Sequence, residues 1–301
     1  MPSSTNRAAQ GRYELGSTFK IFAVAQALDA GAISPRTLID TKGPMRWGRF
    51  TIRDFNDYGP RLTVEDVIVK SSNIGAARIA ISMGAERQQA FLRSLGLMDV
   101  LPLEISEATK APPLLPSRWS DLTTMTVSYG HGLAVSPLHL AVAYAAIANG
   151  GLKVSPSIIA SDARPGEADR VVSEETSMQV RDMLRKVVVR GTAKRAEVEG
   201  YEVGGKTGTA DKPLPNGGYA RDKTIGTFAG VFPASDPRFV MVIALDEPKA
   251  RINGMSFRTA GLTAAPLFAD VLRRIAPIMG LRPDAAGEDA EPTLYTIAAS
   301  E

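Results

Sequence analysis

The stretch YELGSTFKIF, residues 13–22, places Ser17 three residues before Lys20 at the start of a long apolar run. Residues three apart share one face of a helix, so the lysine amine comes within reach of the serine hydroxyl. One interpretation is structural: Ser17 caps a helix, and Lys20 extends its charge to water along its stem. The other is chemical: a buried amine loses its charge, accepts the hydroxyl proton and makes Ser17 a nucleophile.

The composition limits which nucleophile the chain can use. Cysteine is absent, which excludes thiol catalysis, disulfides and cysteine zinc sites. The two histidines, His131 and His139, are eight residues apart with no second pair of ligands. We therefore expect neither a metal site nor a Ser-His-Asp triad, and we assign the histidines no role. A nucleophile is expected to be a hydroxyl whose base is not histidine, and no cofactor is expected.

The charge is distributed unevenly along the chain. The net charge is +3 over 301 residues, but residues 283–301 contain five acids and no base, which leaves +8 for residues 1–282. A basic excess of this size favours an anionic ligand and is equally consistent with an ordinary mixed surface. No basic run with interleaved aromatic residues points to nucleic acid. The composition of residues 283–301 predicts an acidic disordered tail.

The hydrophobic content favours a globular core. Hydrophobic residues make up 44% of the chain, and no segment approaches the roughly 18 uninterrupted apolar residues of a membrane span. The polar sequence PSSTNRAAQ after Met1 lacks the apolar region of a secretory signal. Neither a membrane span nor a signal peptide is therefore predicted.

Periodicity and cap residues predict helices through the first two thirds of the chain. Ser17 opens an apolar helix, Thr63 opens a second with a capping box, and Ser136 followed by proline caps a third. A further amphipathic helix is predicted at residues 173–190. Weak alternation and a Gly-Pro pair within residues 39–54 predict a short hairpin.

The last third of the chain has a different pattern. Short β-rich segments separated by turns predict antiparallel strands at residues 201–210, 224–232 and 238–246. Residues 260–280 return to a helical pattern. Helices followed by strands and a final helix are typical of an α+β domain whose sheet is covered by helices.

Two further motifs follow the Ser17–Lys20 pair. The sequence SSN at residues 71–73 interrupts a helical pair, and KTGT at residues 206–209 lies on the first predicted strand. Each has a structural alternative, because a serine turn caps helices and an edge-strand lysine discourages aggregation. The order and context of the three motifs together favour a catalytic interpretation.

This set of motifs resembles the penicillin-binding transpeptidase family. The resemblance extends to the segments NRAAQGRYELGSTFK, LTVEDVIVKSSNIGAARIA, SPLHLAVAYAAIANGG, VVVRGTAKRAEVEGYEVGGKTGTA and TFAGVFPAS. These segments are similar to class B penicillin-binding proteins, above all the division-specific peptidoglycan D,D-transpeptidases, over about residues 5–280. The resemblance implies that residues 1–282 form a β-lactamase/transpeptidase-like domain, in which an antiparallel sheet is covered by helices beside a mostly helical subdomain.

The resemblance also implies catalytic roles. Ser17 is the nucleophile and Lys20 its base, while Lys206 supplies the second cation that keeps Lys20 neutral. Ser71 relays a proton towards the leaving amine, and the side-chain amide of Asn73 holds the amide of the substrate.

Substrate-binding roles fall on the KTGT strand. Lys206, Thr207 and Thr209 bind a terminal carboxylate, and the backbone N–H groups of Ser17 and Thr209 form an oxyanion hole. Gly208 leaves room for substrate to lie along the strand. No metal takes part.

The implied reaction is cross-linking of peptidoglycan stem peptides that end in D-Ala-D-Ala. Acylation of the serine releases D-alanine, and an amine from a neighbouring stem then attacks the acyl-enzyme. β-Lactams mimic the dipeptide and are covalent inhibitors. The resemblance further implies a lipid-linked precursor, a glycosyltransferase and division proteins as partners of a full-length parent at the periplasmic face of the inner membrane.

The chain departs from the family before the nucleophile. Class B proteins carry a membrane anchor and a pedestal domain, and their first two sheet strands precede the nucleophile helix, whereas 16 residues precede Ser17 here. We therefore expect a transpeptidase domain that is incomplete at its N-terminus. The sheet would lack two strands and expose an edge, so the isolated chain is expected to be poorly soluble or molten.

Two alternative functions remain open at this point. A serine β-lactamase shares the fold and the acylation step but hydrolyses the product. No motif resembles the deacylating glutamate of class A enzymes, and class D enzymes usually have a hydrophobic residue where Asn73 stands. The other alternative is an inactive fragment or scaffold of the division machinery.

Overall fold

The computed structural model describes residues 5–160, 166–214 and 216–283, so the tail predicted at residues 283–301 lies outside them except for its first residue. The α-helices in these ranges are α1 (Arg7–Gln10), α2 (Lys20–Asp29), α3 (Val64–Val69), α4 (Asn73–Met83), α5 (Ala85–Ser94), α6 (Ser106–Thr109), α7 (Asp121–Ser128), α8 (Pro137–Ala148), α9 (Glu174–Arg190) and α10 (Ala264–Ile275). None of them combines the length and apolar character that crossing a bilayer requires.

The strands form one sheet and several small ribbons. They are β1 (Leu38–Asp40), β2 (Met45–Trp47), β3 (Phe50–Ile52), β4 (Arg61–Thr63), β5 (Gly204–Pro213), β6 (Tyr219–Phe232), β7 (Phe239–Asp246), β8 (Ala250–Ile252) and β9 (Met255–Phe257). The pairs β1–β4, β2–β3 and β8–β9 are two-stranded ribbons, while β5, β6 and β7 form an antiparallel sheet in that order. The predicted hairpin and the three predicted sheet strands are confirmed, while the expectation that the sheet lacks two strands of the family stays a prediction.

Helix α2 is the central element of the domain. Every residue from Lys20 to Leu28 is buried, as the unbroken apolar pattern predicts. Helices α4, α5 and α7 pack against it and against one another, while α8, α9 and α10 pack on the sheet. The arrangement confirms the predicted α+β fold of a helix-covered antiparallel sheet beside a mostly helical part.

Capping residues fix the helix starts that position the site. Thr63 accepts the N–H of Asp66 at 3.1 Å and begins α3. Ser136 accepts the N–H of His139 at 3.3 Å and begins α8, with proline in its first turn. Both predicted caps are confirmed, and each satisfies a backbone donor that the helix itself cannot.

The pairing of β5 with β6 is regular along the KTGT motif and irregular beyond it. Lys206 lies opposite Ala229 and Thr209 opposite Gly226, whereas the pairing shifts between Asp211 and Pro213. The motif therefore lies on the regular part of the longest antiparallel pair in the described chain.

Candidate active site

The serine and lysine of the opening motif meet where a short turn becomes a helix. Ser17 lies within a 3-10 turn, Gly16–Phe19, whose N-cap residue is Leu15. Lys20 is completely buried, and its Nζ donates to Ser17 Oγ at 2.8 Å. The structural interpretation, with Ser17 as a cap and Lys20 at the surface, is therefore wrong.

Ser71 joins this pair from the turn between α3 and α4. Lys20 Nζ donates to the Ser71 carbonyl at 2.6 Å and to its hydroxyl at 3.0 Å. Ser71 has φ +65°, in the left-handed region that costs a non-glycine residue about 1–3 kcal/mol. This backbone conformation presents both oxygens of one residue to a single amine.

Lys206 approaches the same hydroxyl from β5. It is fully buried, and its Nζ donates to Ser71 Oγ and to the carbonyl of Thr207, both at 3.0 Å. Burial lowers the pKa of Lys206 to about 7. Burial, and then the charge of Lys206, lowers the pKa of Lys20 well below its ordinary value. Lys20 thus loses its proton more readily than an ordinary lysine does, as a base for a hydroxyl requires.

Asp54 binds the SSN turn through hydrogen bonds. The sequence motifs did not predict this role. Its carboxylate accepts the hydroxyl of Ser72 at 2.7 Å and the N–H groups of Asn73 and Ile74 at 2.5 and 3.0 Å. Its charge also acts on Lys20, whose pKa it raises against the two larger effects. A single aspartate after a short hairpin is too common a pattern to have indicated this role.

The side chains of the other predicted residues are placed by neighbouring loops. Asn73 Nδ2 donates to the carbonyl of Arg53 at 2.9 Å, which orients its amide. The hydroxyls of Thr207 and Thr192 lie 2.6 Å apart. Thr209 Oγ1 accepts the N–H of Ala260 at 2.9 Å.

Gly208 is required for a reason other than the predicted one. A Cβ at this position would lie 2.1 Å from the carbonyl oxygen of Leu15 and 3.0 Å from the side chain of Thr18. The space beside Gly208 is occupied by the 3-10 turn that carries Ser17, so the expectation that Gly208 makes room for substrate is wrong. The glycine instead lets β5 approach the turn that carries Ser17.

A cleft of about 710 Å³ opens over these groups. Ser17, Ser71, Asn73, Thr207 and Thr209 line it, whereas the buried lysines and Gly208 lie behind its wall. The cleft is also lined by aromatic and basic side chains, namely Phe55, Tyr58, Lys70, Tyr129, Lys194 and Arg195. All the predicted site residues are thus brought to one place.

The two histidines have different surroundings. His139 is buried, and burial lowers its pKa. Its Nδ1 lies 2.7 Å from Ser136 Oγ, and its Nε2 lies 3.0 Å from the carbonyl oxygen of Asp99. His131 lines the cleft, a position that its sequence context did not indicate. Within the described ranges, no group of three or more His, Cys, Asp or Glu could hold a metal ion.

Known proteins resemble this chain over most of its length. The probable peptidoglycan D,D-transpeptidase FtsI of Caulobacter vibrioides is 38% identical over 292 residues, covering 92% of this chain and 48% of the relative. The peptidoglycan D,D-transpeptidase FtsI of Escherichia coli is 34% identical over 281 residues, covering 93% and 46%. The chain therefore spans about half the length of these relatives.

Solved structures resemble it equally well. The apo transpeptidase domain of penicillin-binding protein 3 from Burkholderia pseudomallei has a TM-score of 0.85 at 35% identity, covering 93% of this chain and 84% of that one. Penicillin-binding protein 3 of Mycobacterium tuberculosis in complex with aztreonam has a TM-score of 0.82 at 33% identity, covering 93% and 66%. The family described as penicillin binding protein transpeptidase domain matches residues 3–273. With its motifs gathered around one cleft, the chain belongs to the penicillin-binding protein transpeptidase family.

Proposed function

We propose that this chain is the catalytic part of a peptidoglycan D,D-transpeptidase that cross-links stem peptides through an acyl-enzyme on Ser17 in septal wall synthesis. The observation that carries the proposal is the 2.8 Å contact between Ser17 Oγ and the amine of Lys20, which is fully buried beside a second buried lysine. The names of the relatives, peptidoglycan D,D-transpeptidases, support this reaction class. Residues 1–282 are proposed to form the transpeptidase domain.

Acylation begins with proton transfer to Lys20. In its neutral form Lys20 accepts the proton of Ser17 Oγ while that oxygen attacks the carbonyl of the penultimate D-alanine. The peptide C–N bond then breaks, and the departing amine takes a proton through Ser71, whose hydroxyl contacts both lysines. Ser17 is left as an ester, D-alanine leaves, and Lys20 is neutral again.

Two backbone N–H groups are proposed to stabilise the oxyanion, those of Ser17 and Thr209. A Cβ on Gly16 would lie 3.1 Å from the Thr209 nitrogen, so the serine turn and this strand position are in close backbone contact. Donors fixed before the reaction stabilise the developing charge without reorganisation. Lys206, Thr207 and Thr209 are proposed to bind the terminal carboxylate, and the amide of Asn73 the substrate amide.

The second half-reaction transfers the acyl group to an amine. Its nitrogen attacks the ester carbonyl, the new C–N bond forms, and the C–O bond to Ser17 breaks. One proton of the attacking amine passes through Lys20 to the Ser17 oxygen, which restores the hydroxyl. With a β-lactam, the reaction is proposed to stop after acylation of Ser17. The complexes of the related penicillin-binding protein 3 with aztreonam and ampicillin support β-lactam binding.

The cellular setting is proposed on the same relatives. A longer parent protein would act at the periplasmic face of the inner membrane on stem peptides delivered by a lipid-linked precursor. A glycosyltransferase and division proteins would be its partners.

Intact mass after treatment with benzylpenicillin tests the proposal. We expect one penicilloyl adduct on the wild-type chain, none on Ser17→Ala, and peptide mapping that places the adduct on Ser17. A chromogenic cephalosporin should be consumed once per protein molecule. Continued turnover would instead support a β-lactamase, and a folded chain that no penicillin labels would support a scaffold.

A further inference from the structure

A second polar cluster forms part of the cleft wall beside the nucleophile turn. Glu14, three residues before Ser17, has only 10% of its side chain exposed. Its carboxylate accepts the N–H of Gly132 at 2.8 Å and the hydroxyl of Tyr219 at 3.2 Å, and lies 3.0 Å from Nδ1 of His131. One buried carboxylate therefore joins the nucleophile turn, the loop before α8 and the start of β6.

Backbone contacts place His131 close to the nucleophile. The N–H of Gly16 donates to the carbonyl of Gly130 at 3.3 Å, and a Cβ on Gly130 would lie 2.0 Å from the Gly16 oxygen. Ser17 and His131 each follow this contact by one residue, and both line the cleft.

The surroundings of His131 fix which ring nitrogen is available. Its Nδ1 faces a carboxylate that can only accept, so Nδ1 carries a proton, and in the Nδ1–H tautomer Nε2 is the acceptor. Tyr129 and Tyr219 contact the ring edge-to-face at centroid distances of 5.6 and 5.3 Å. Nε2 has no hydrogen-bond partner among the residues that the structure describes.

The charged groups of the cleft wall are separated along β5. Lys194 and Arg195 follow Thr192, whose hydroxyl contacts Thr207. Asp211 also lines the cleft and lies four residues after Thr207 on β5. At ~3.3 Å per residue, the two positions are about 13 Å apart. Tyr219, which contacts Glu14 and His131, is also acted on by the charge of Asp211, so these three groups lie on one side. The cationic side suits a carboxylate, and the side with Asp211, Glu14 and His131 suits an amine.

We propose that His131, held in orientation by Glu14, forms the subsite for the attacking amine of the second half-reaction. The carboxylates attract the ammonium form of the acceptor, which releases its extra proton to solvent and becomes the neutral amine. Nε2 then accepts a hydrogen bond from that neutral amine and directs its lone pair towards the Ser17 ester. His131 takes no net proton in this step. The inference rests on the proposed transpeptidase function and adds the acceptor side of the cleft to it.

Partition of one acyl-enzyme between water and an amine tests this subsite. The donor is an N-acyl-D-alanyl thioester and the acceptor is D-alanine. In His131→Ala, we expect the acceptor concentration for half-maximal aminolysis to rise at least tenfold, while hydrolysis of the same acyl-enzyme changes by less. Glu14→Gln should raise this acceptor concentration less, because Gln keeps an acceptor for the Gly132 N–H but loses the negative charge.

A conservative variant separates orientation from folding. His131→Gln retains a hydrogen-bond acceptor in its side chain, so it should restore part of the dependence on amine concentration. If His131→Ala melts below the assay temperature, His131→Gln is the variant to compare with the wild type. An unchanged acceptor dependence in the variants, or equal losses of aminolysis and hydrolysis, would overturn the subsite. Failure of the wild-type chain to form any acyl-enzyme on Ser17 would overturn the proposed function as well.

Discussion

Lys20 and Lys206, one on a helix and one on a strand, each place Nζ 3.0 Å from the same hydroxyl oxygen, that of Ser71. Both lysines are completely buried. Two ammonium groups around one hydroxyl repel each other, and burial disfavours both charges. Near neutral pH the two side chains together therefore carry less than their full charge of +2. One of the amines is then able to act as a base.

Lys20→Arg should abolish acylation although it preserves a positive charge, because a guanidinium does not deprotonate in this pH range. The measurement is the rate of labelling by a fluorescent penicillin, with thermal melting as the control for folding. Labelling within about tenfold of the wild-type rate, roughly 1.4 kcal/mol of barrier, would place the base elsewhere.

Lys206→Gln should move the rising limb of the acylation pH profile to higher pH. The charge of Lys206 lowers the pKa of Lys20, so its removal raises that pKa and a higher pH is needed for the neutral amine. Lys212→Gln is a matched control on the same strand, since Lys212 pairs with Asp246 and Glu247 away from the cleft. A slower reaction with an unshifted limb would restrict Lys206 to carboxylate binding.

Lys206→Met should stabilise the fold. The pKa of Lys206 is about 7 in the folded protein and ~10.4 in an unfolded chain, so the unfolded chain binds the extra proton between these values. The free energy of unfolding of the wild type therefore rises with pH across that window. The variant should gain about 1–4 kcal/mol near pH 6 and lose the part of the slope that Lys206 contributes, as urea unfolding at several pH values can measure. A destabilised variant at pH 6 would contradict the expectation.

Asp54→Asn should loosen the SSN turn. The carboxylate accepts three hydrogen bonds, whereas an amide oxygen is a weaker acceptor and the amide nitrogen is only a donor. We expect a loss of about 1.5–3 kcal/mol of stability and slower acylation, measured by thermal melting and penicillin labelling. Asp57→Asn is the control, because Asp57 accepts from a single N–H, that of Gly59, in an exposed loop. Equal effects of the two substitutions would refute the role of Asp54.

Gly208→Ala should separate β5 from the nucleophile turn. Its Cβ would meet the carbonyl oxygen of Leu15 at 2.1 Å, and because that atom is backbone, relief requires the strand to move. Overpacking of this kind costs about 1–3 kcal/mol, and displacement of the proposed oxyanion donors should slow acylation. Gly166→Ala is the control, because no atom of the described residues lies within 4 Å of the Cβ that it would add. Wild-type labelling by Gly208→Ala would show that the contact can relax without consequence.

The parts of the site that the sequence predicted are those with local patterns. Ser17 and Lys20 are one helical turn apart, and Thr63 and Ser136 precede their helices as caps do, so short-range geometry decides them. The KTGT residues were predicted from their order after the other two motifs. The physical cause of their proximity, which is that β5 packs on the serine turn, is visible only in the structure.

The residues that were missed act through contacts between distant parts of the chain. Asp54 reaches the SSN turn 18 to 20 residues later, and Glu14 reaches His131 and Tyr219 across 117 and 205 residues. No periodicity or cap signal marks such contacts. The reason for Gly208 was wrong for the same cause, because the atom that excludes a Cβ belongs to Leu15, far away in sequence.

The pairing of β5 with β6 shifts beyond Asp211. The length of the hairpin beyond that point therefore does not affect how the KTGT motif is aligned with the rest of the site. Side chains alternate along a strand, so a slip of one position would exchange the lysine and threonine sides of the KTGT motif and destroy the cleft. Because the irregular pairing begins only past Asp211, residues gained or lost at the tip are absorbed there. The hairpin tip is thus a place where the chain can change length during evolution, or receive an engineered insertion, while Lys206 keeps its position beneath the cleft.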